Sequence, residues 1–186
     1  MTAFLVLSLL TAANLRIAPA EGTRFALEVE KTGLLSGKKH LILFEKYSGK
    51  LDYDPAAPER SQLTLDIEAR SAVIKDDWSP AKGSLEKIYT EMQTSSVLDS
   101  AKYPKITFAS ERITPKGAGT FEVTGPLTIR NVTKPVTVQV TQKGDLYEGT
   151  AIVKLSDYKI KAPKAALGAI GTKDEMKVSF TLKPGA

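Results

Sequence analysis

From Phe25 onward, apolar and polar residues alternate along most of the chain, the pattern of strands whose successive side chains point to opposite faces. Phe25, Leu27 and Val29 share one phase. A second strand region runs from Leu41 to Tyr53, with Gly49 as a bend, and Asp54-Pro55 and Pro58 end it. Leu63, Leu65 and Ile67 form a third, and Ile106 and Phe108 open a fourth after Pro104. Phe121, Val123, Leu127 and Ile129 hold one phase through Gly125-Pro126. Val136, Val138 and Val140 form the sixth strand, Ala151, Val153 and Leu155 the seventh, and Met176, Val178, Phe180 and Leu182 the eighth. The phase changes between Ile129 and Val136, which predicts two strands with a turn in the polar break Arg130-Asn131-Val132-Thr133-Lys134-Pro135. The connections Pro115 to Gly119 and Lys143-Gly144-Asp145 also read as hairpin turns. Only Ser84–Gln93 breaks the rhythm. Leu85, Ile88, Tyr89 and Met92 recur there at helical spacing, with Ser79-Pro80 or Ser84 as the start. The expectation is an all-β domain with one inserted helix, its eight antiparallel strands closed as a barrel or packed as a sandwich.

The N-terminus adds a second feature. Phe4 to Leu10 is a short apolar run, and Ala18-Pro19-Ala20 follows it. This reads as an export signal cut before Glu21, leaving residues 21–186 as one exported domain. The run is shorter than the roughly 20 apolar residues of a membrane-spanning helix. Charge changes little. The formal net charge is +5, but the lysines are scattered through strands and turns, with Lys38-Lys39 the adjacent pair, and no basic stripe is interleaved with aromatics. Nucleic-acid binding is therefore not expected, while weak attraction to anionic envelope surfaces stays open.

The chemical inventory is thin. Cysteine is absent, which excludes disulfides and thiolate chemistry, and His40 is the one histidine. No G-x-S-x-G motif occurs. His40 itself reads as a surface or strand-end residue. Asp76-Asp77 reads as a turn, without the spacing of a calcium loop. Asn131-Val132-Thr133 matches a glycosylation triplet that a turn explains equally well. What the chain has in quantity is apolar inward surface. An eight-stranded barrel can fill itself with side chains or hold one small ligand.

Three segments carry a resemblance: "VLDSAKYPKITF" (residues 97–108), "GPLTIRNVTKPVTVQV" (125–140) and "LSDYKI" (155–160). In order and spacing they resemble the YceI-like family. The resemblance covers most of Arg24 to Lys183. It implies an antiparallel, eight-stranded lipocalin-like barrel with a helix inserted partway. It also implies an exported bacterial protein, not an enzyme and without a cofactor, that holds a long isoprenoid or other lipid-like molecule inside, for storage, transport or sequestration. Asn131 stands where that family usually has Gly, and Asn tolerates positive φ. Tyr158-Lys159 stands where Phe-Gly is common.

The expected cavity lining is the apolar strand face: Phe25, Leu27, Leu65, Phe108, Phe121, Val123, Ile129, Val138, Val153 and Phe180. Lys38, Lys39 and His40 are candidates for a head group, with Lys159, Lys161 and Lys164 as a second set. "APKAALGAIG" (162–171) reads as a lid or a tight crossing. The expected partner is a hydrophobic small molecule, an isoprenoid, quinone or fatty-acid derivative, with no metal, no nucleic acid and no stable membrane insertion. A homodimer stays open. Two other readings also stay open. One is an enzyme acting on a lipid or quinone in the same cavity, with His40 and a carboxylate as its acid–base pair. The other is a small outer-membrane barrel, against which the helix and the 7% aromatic content argue.

Overall fold

The computed structural model describes residues 13–78 and 83–185. The apolar run Phe4–Leu10 and the alternative helix start at Ser79-Pro80 lie outside them. The described chain forms β1 (Ala13–Ile17), β2 (Arg24–Gly33), β3 (Lys39–Phe44), β4 (Tyr47–Tyr53), β5 (Gln62–Glu68) and β6 (Ala72–Ile74). Helix α1 (Ser84–Gln93) follows. Then come β7 (Lys105–Ala109), β8 (Arg112–Gly117), β9 (Thr120–Ile129), β10 (Val132–Lys143), β11 (Leu146–Lys154), β12 (Lys164–Ala165) and β13 (Ile170–Leu182).

All thirteen strands belong to one antiparallel sheet, ordered β1-β4-β5-β7-β9-β10-β11-β13-β2-β3-β6, with β8 paired to β9 and β12 to β13. The sheet curls through 307° and leaves its edges 18 Å apart. This corrects the expected closed eight-stranded barrel: the all-β sheet with one helix is present, but it is open and has more strands. Alternation reveals a strand without revealing whether the last strand meets the first. Here the edges are β1 and β6, and β6 has only three residues with which to continue the ladder. The miscount has local causes. The expected strand Leu41–Tyr53 is the β3–β4 pair, broken at Glu45-Lys46, and β6, β8 and β12 are too short to show a period. The strand β1 lies inside the segment read as an export signal. It pairs with β4 from Ala13↔Tyr53 to Ile17↔Gly49, and Ile17 is buried.

The hairpin of β9 and β10 keeps strict register from Val132↔Ile129 to Thr141↔Thr120, around the two-residue turn Arg130-Asn131. The residue with positive φ in that turn is Arg130 (59°), not Asn131. Pro135 faces Pro126 across the pair. Neither proline has an N–H for a ladder, and β10 joins β11 only from Gln139↔Thr150 onward. The wall therefore divides beside Pro135. A surface groove of about 450 Å³ runs there, between Lys134–Thr137 and Ala151–Lys154. The ring of Tyr158, 1% exposed, borders it from the 3-10 turn Ser156–Tyr158.

Inside the curl the core has two parts. The larger gathers Phe25, Ile42, Phe44, Ile67, Ile129, Val153 and Met176 with Met92 of α1. The smaller is Ile113, Val123 and Val140, packed by Phe108, Phe121, Val138, Tyr147 and Phe180. Between them stands a group of rings. Phe25 stacks on Phe180 (6.0 Å, 11°) and meets Phe44 edge-on (6.4 Å), arrangements that aromatic quadrupoles favour. Gly149 makes room for this group, because a Cβ there would land on the Phe180 ring.

Candidate functional site

The larger core is hollow. A cavity of about 400 Å³ is walled by Leu27 and Val29 of β2, Ile42 and Phe44 of β3, Leu127 and Ile129 of β9, and Met176 and Val178 of β13. Helix α1 contributes Ile88 and Met92. The helix begins after Gly83 in the left-handed conformation, without a side-chain cap, and turns its Ile88–Met92 face to the core.

Polarity is graded along the cavity. On β2 the inward positions run Phe25, Leu27, Val29, Lys31, so one strand carries the lining from aromatic floor to ammonium. His40 lies directly across from Val29. Thr172 lies across from Lys31. Both line the cavity, as do Lys87, Glu91 and the exposed Lys164 and Ala165 near its mouth. Burial pulls the Lys31 pKa below the ordinary lysine value, and the negative charge of Asp76 works against that shift.

His40 is buried, at 4% exposure, rather than at the surface as the sequence suggested. Its Nδ1 lies 2.7 Å from Oδ2 of Asp76, a carboxylate that also accepts the Leu41 N–H at 3.1 Å. The carboxylate accepts from the Nδ1–H side of the ring and fixes the ring's orientation. Trp78 covers the ring at 5.6 Å and donates its indole N–H to the Lys39 carbonyl at 2.7 Å. The Nε2 atom is buried without a hydrogen-bond partner.

Of the ten expected lining residues, Phe25, Leu27, Ile129 and Val153 line this cavity. Phe121, Val123 and Phe180 line a second, nearly filled space of about 70 Å³ at the other end. Leu65 is in the packed core, Phe108 packs against both core clusters, and Val138 packs against the smaller. From the expected head-group run, His40 is at the cavity. The Lys39 ammonium instead reaches Glu28 at 3.3 Å on the outer face, and that of Lys38 lies 6.0 Å over the Trp78 ring. From the second set, Lys164 lines the cavity and Lys159 forms the turn after Tyr158 with positive φ. Sequence reasoning did not single out Lys31, Asp76 as the partner of His40, or Thr172. The signal for Lys31 was present: it continues the inward phase of Phe25, Leu27 and Val29.

The sequence model of the YceI-like domain matches residues 19–183. The chain belongs to the YceI-like family. A UPF0312 protein of Pseudomonas putida strain W619 is 31% identical over 132 residues, 66% of this chain and 64% of that protein. A UPF0312 protein of Pseudomonas syringae pv. tomato is 28% identical over 130 residues, 64% of this chain and 63% of that one. The aligned part thus spans somewhat less than two thirds of these curated relatives. In structure the chain is similar to Burkholderia cenocepacia BcnA (TM-score 0.64, 23% identity, 85% of this chain and 94% of that one). It is also similar to the Campylobacter jejuni YCEI protein (TM-score 0.59, 20% identity, 78% and 84%). These likenesses show a shared fold. The curved sheet with an internal cavity is typical of YceI proteins. Among the described residues no group of acidic and histidine side chains could hold a metal ion. No helix among them is long and apolar enough to cross a membrane.

Proposed function

We propose that the chain is an exported carrier that holds an isoprenoid or related lipid-like molecule in the larger cavity, for storage, transport or sequestration. One observation carries this reading: an apolar hollow of about 400 Å³ whose polar lining gathers toward the end where Lys31, His40 and Thr172 stand. The volume lies near the lower end of small-molecule pockets, about 300–1,000 Å³. It suits an isoprenoid of a few units or the end of a longer one. The tail points toward Phe25, where each buried CH₂ contributes about 0.8 kcal/mol. The head group stays at the Lys31 end, within reach of an ammonium, a hydroxyl and an imidazole.

Organic extraction of gently purified protein, followed by mass spectrometry, tests this. The expected result is a single-chain amphiphile in stoichiometric amount. A clean extract from protein that also takes up no labelled prenyl chain would overturn it.

A further inference from the structure

Two loops form a common tip beside the cavity mouth. The turn after β2 carries Leu34, 78% exposed, and the connection between β12 and β13 carries Leu167, fully exposed at 110%. They are fastened together. The Leu34 N–H donates to the Ala169 carbonyl at 3.0 Å, and Gly33 packs so closely on that carbonyl that a Cβ would not fit. The pairs Ile170↔Gly33 and Ala165↔Ile170 continue the link into β12, whose two residues line the cavity.

Isolated exposed leucines are common, but the backbone here is unusual. Ala166 (φ 49°) and Leu167 (φ 54°) both occupy the left-handed region before Gly168 (φ 93°). A bulky residue there is strained, and Gly or Asn would normally fill the place. The strain holds a leucine out into solvent, fully exposed among the described residues.

The charge around these leucines has one sign. Residues 31–39 and 160–171 contain Lys31, Lys38, Lys39, Lys161 and Lys164 and no Asp or Glu. Lys38, Lys39, Lys161 and Lys164 are exposed. Facing carboxylates offset part of this surplus: Glu28 pairs with Lys39 at 3.3 Å, and Glu91 keeps its charge while accepting from Ser96 at 2.9 Å, whereas Glu30 is matched by Lys173 at 2.7 Å. Among the described residues Lys38, Lys161 and Lys164 make no ion pair, and they carry the remaining positive charge. Apolar points among lysines, set on a short rigid loop, match the chemistry of an anionic bilayer surface. Leucines enter below the phosphates and ammonium groups stay among them.

We infer that the Leu34–Leu167 tip docks this protein reversibly on anionic membranes, with the cavity mouth turned toward the lipid. The inference gains its purpose from the carrier reading but is measured without it. Flotation with vesicles of phosphatidylglycerol and phosphatidylcholine, compared with phosphatidylcholine alone, reads the docking. Wild type is expected to float with the anionic vesicles at low salt and to be released as salt rises. The double variant Leu34→Ser/Leu167→Gly is expected to lose about tenfold or more of that partitioning. The single variant Leu167→Gly is expected to melt no lower than wild type, because it loses no packing and relieves the left-handed residue.

Absence of wild-type binding to anionic vesicles, equal binding of the double variant, or equal binding to neutral vesicles overturns the inference. So does concentration-dependent self-association that the double variant abolishes, since the tip would then join two copies of this chain. Uptake of a labelled prenyl chain in vesicle-free solution separates the two readings. Uptake without flotation leaves the carrier and removes the docking. Flotation without uptake does the reverse.

Discussion

At the Lys31 end of the interior the walls are mostly aliphatic and leave about 400 Å³ unfilled; at the Tyr53 end Tyr53, Phe121, Tyr147 and Phe180 converge and leave about 70 Å³. The same sheet supplies both ends, and several strands contribute to each. β9 gives Leu127 and Ile129 to the hollow and Phe121 and Val123 to the filled end; β13 gives Met176 and Val178 to one and Phe180 and Leu182 to the other. The difference lies in side-chain volume along each strand. Rings bring enough area and bulk to fill the space inside a curved sheet, whereas the branched aliphatics at the other end leave it open. The proposed carrier role would use both: one end that is filled to hold the fold, and one left empty for a guest.

Paired truncations should break this contrast if it is false. Ile113→Ala, in the filled end, is expected to cost about 2–5 kcal/mol of stability. Ile129→Ala, beside the hollow, is expected to cost clearly less, because its side chain already lacks partners on one side. Both residues are buried alike, at 6% and 7% exposure, so burial does not predict the difference. Urea denaturation of the empty protein measures both, and equal losses would mean that the hollow end is packed.

Enlargement should separate the ends in the opposite sense. Val123→Phe overfills the closed end and is expected to cost about 1–3 kcal/mol. Leu127→Trp projects into the hollow, so its expected cost is smaller while uptake of a labelled prenyl chain falls. A variant that still takes up the chain would place the guest elsewhere. Between the ends, Gly149→Ala pushes on the Phe180 ring. It is expected to cost about 1–2 kcal/mol and to change near-ultraviolet circular dichroism from the ring group.

The smallest effects concern tyrosines. Burial, aided by Tyr53, pushes the Tyr147 pKa up to about 12. Burial, aided by Asp157, raises Tyr158 to about 12 as well. Both folded values lie above the unfolded value of about 10. Stability from these groups is therefore complete below pH 10 and is lost as pH rises from about 10 to 12. Tyr147→Phe and Tyr158→Phe should each flatten part of that alkaline loss. At neutral pH Tyr158→Phe should be neutral or gain up to about 1 kcal/mol, since the Tyr158 hydroxyl is buried without a partner. Thermal melts at pH 7, 10 and 11.5 check both statements.

Much of the strand pattern was legible in the sequence because alternation is local. Phe25 to Val29, Leu63 to Ile67, Phe121 to Ile129 and Met176 to Leu182 all lie in the strands that their periodicity predicts. The helix Ser84–Gln93 was legible for the same reason. Closure was not, since whether the edge strands β1 and β6 meet or stay apart depends on the accumulated curl of every strand between them. The division of the inward face into hollow and filled ends also escaped the pattern. Leu27 and Phe180 have the same inward phase, and only three-dimensional position tells which meets empty space. The His40–Asp76 pair spans 36 residues and is buried by a tryptophan two positions beyond the aspartate. No spacing rule announces such a pair.

The strand β13 has a consequence for how the molecule comes into being. It is the last strand and lies between β11 and β2, pairing Tyr147↔Leu182 on one side and Thr181↔Arg24 on the other. A chain made from its N-terminus can pair β1, β4 and β5 with β7 to β11, but β2, β3 and β6 cannot join that ladder until residues 170–182 have arrived. Until then the inward faces of β2 and β11 have no common neighbour, and their leucines and valines stay open to wrong partners. Such sequence-distant pairing slows folding and lengthens exposure to aggregation. The cavity, walled in part by Met176 and Val178, is thus complete only once β13 has paired.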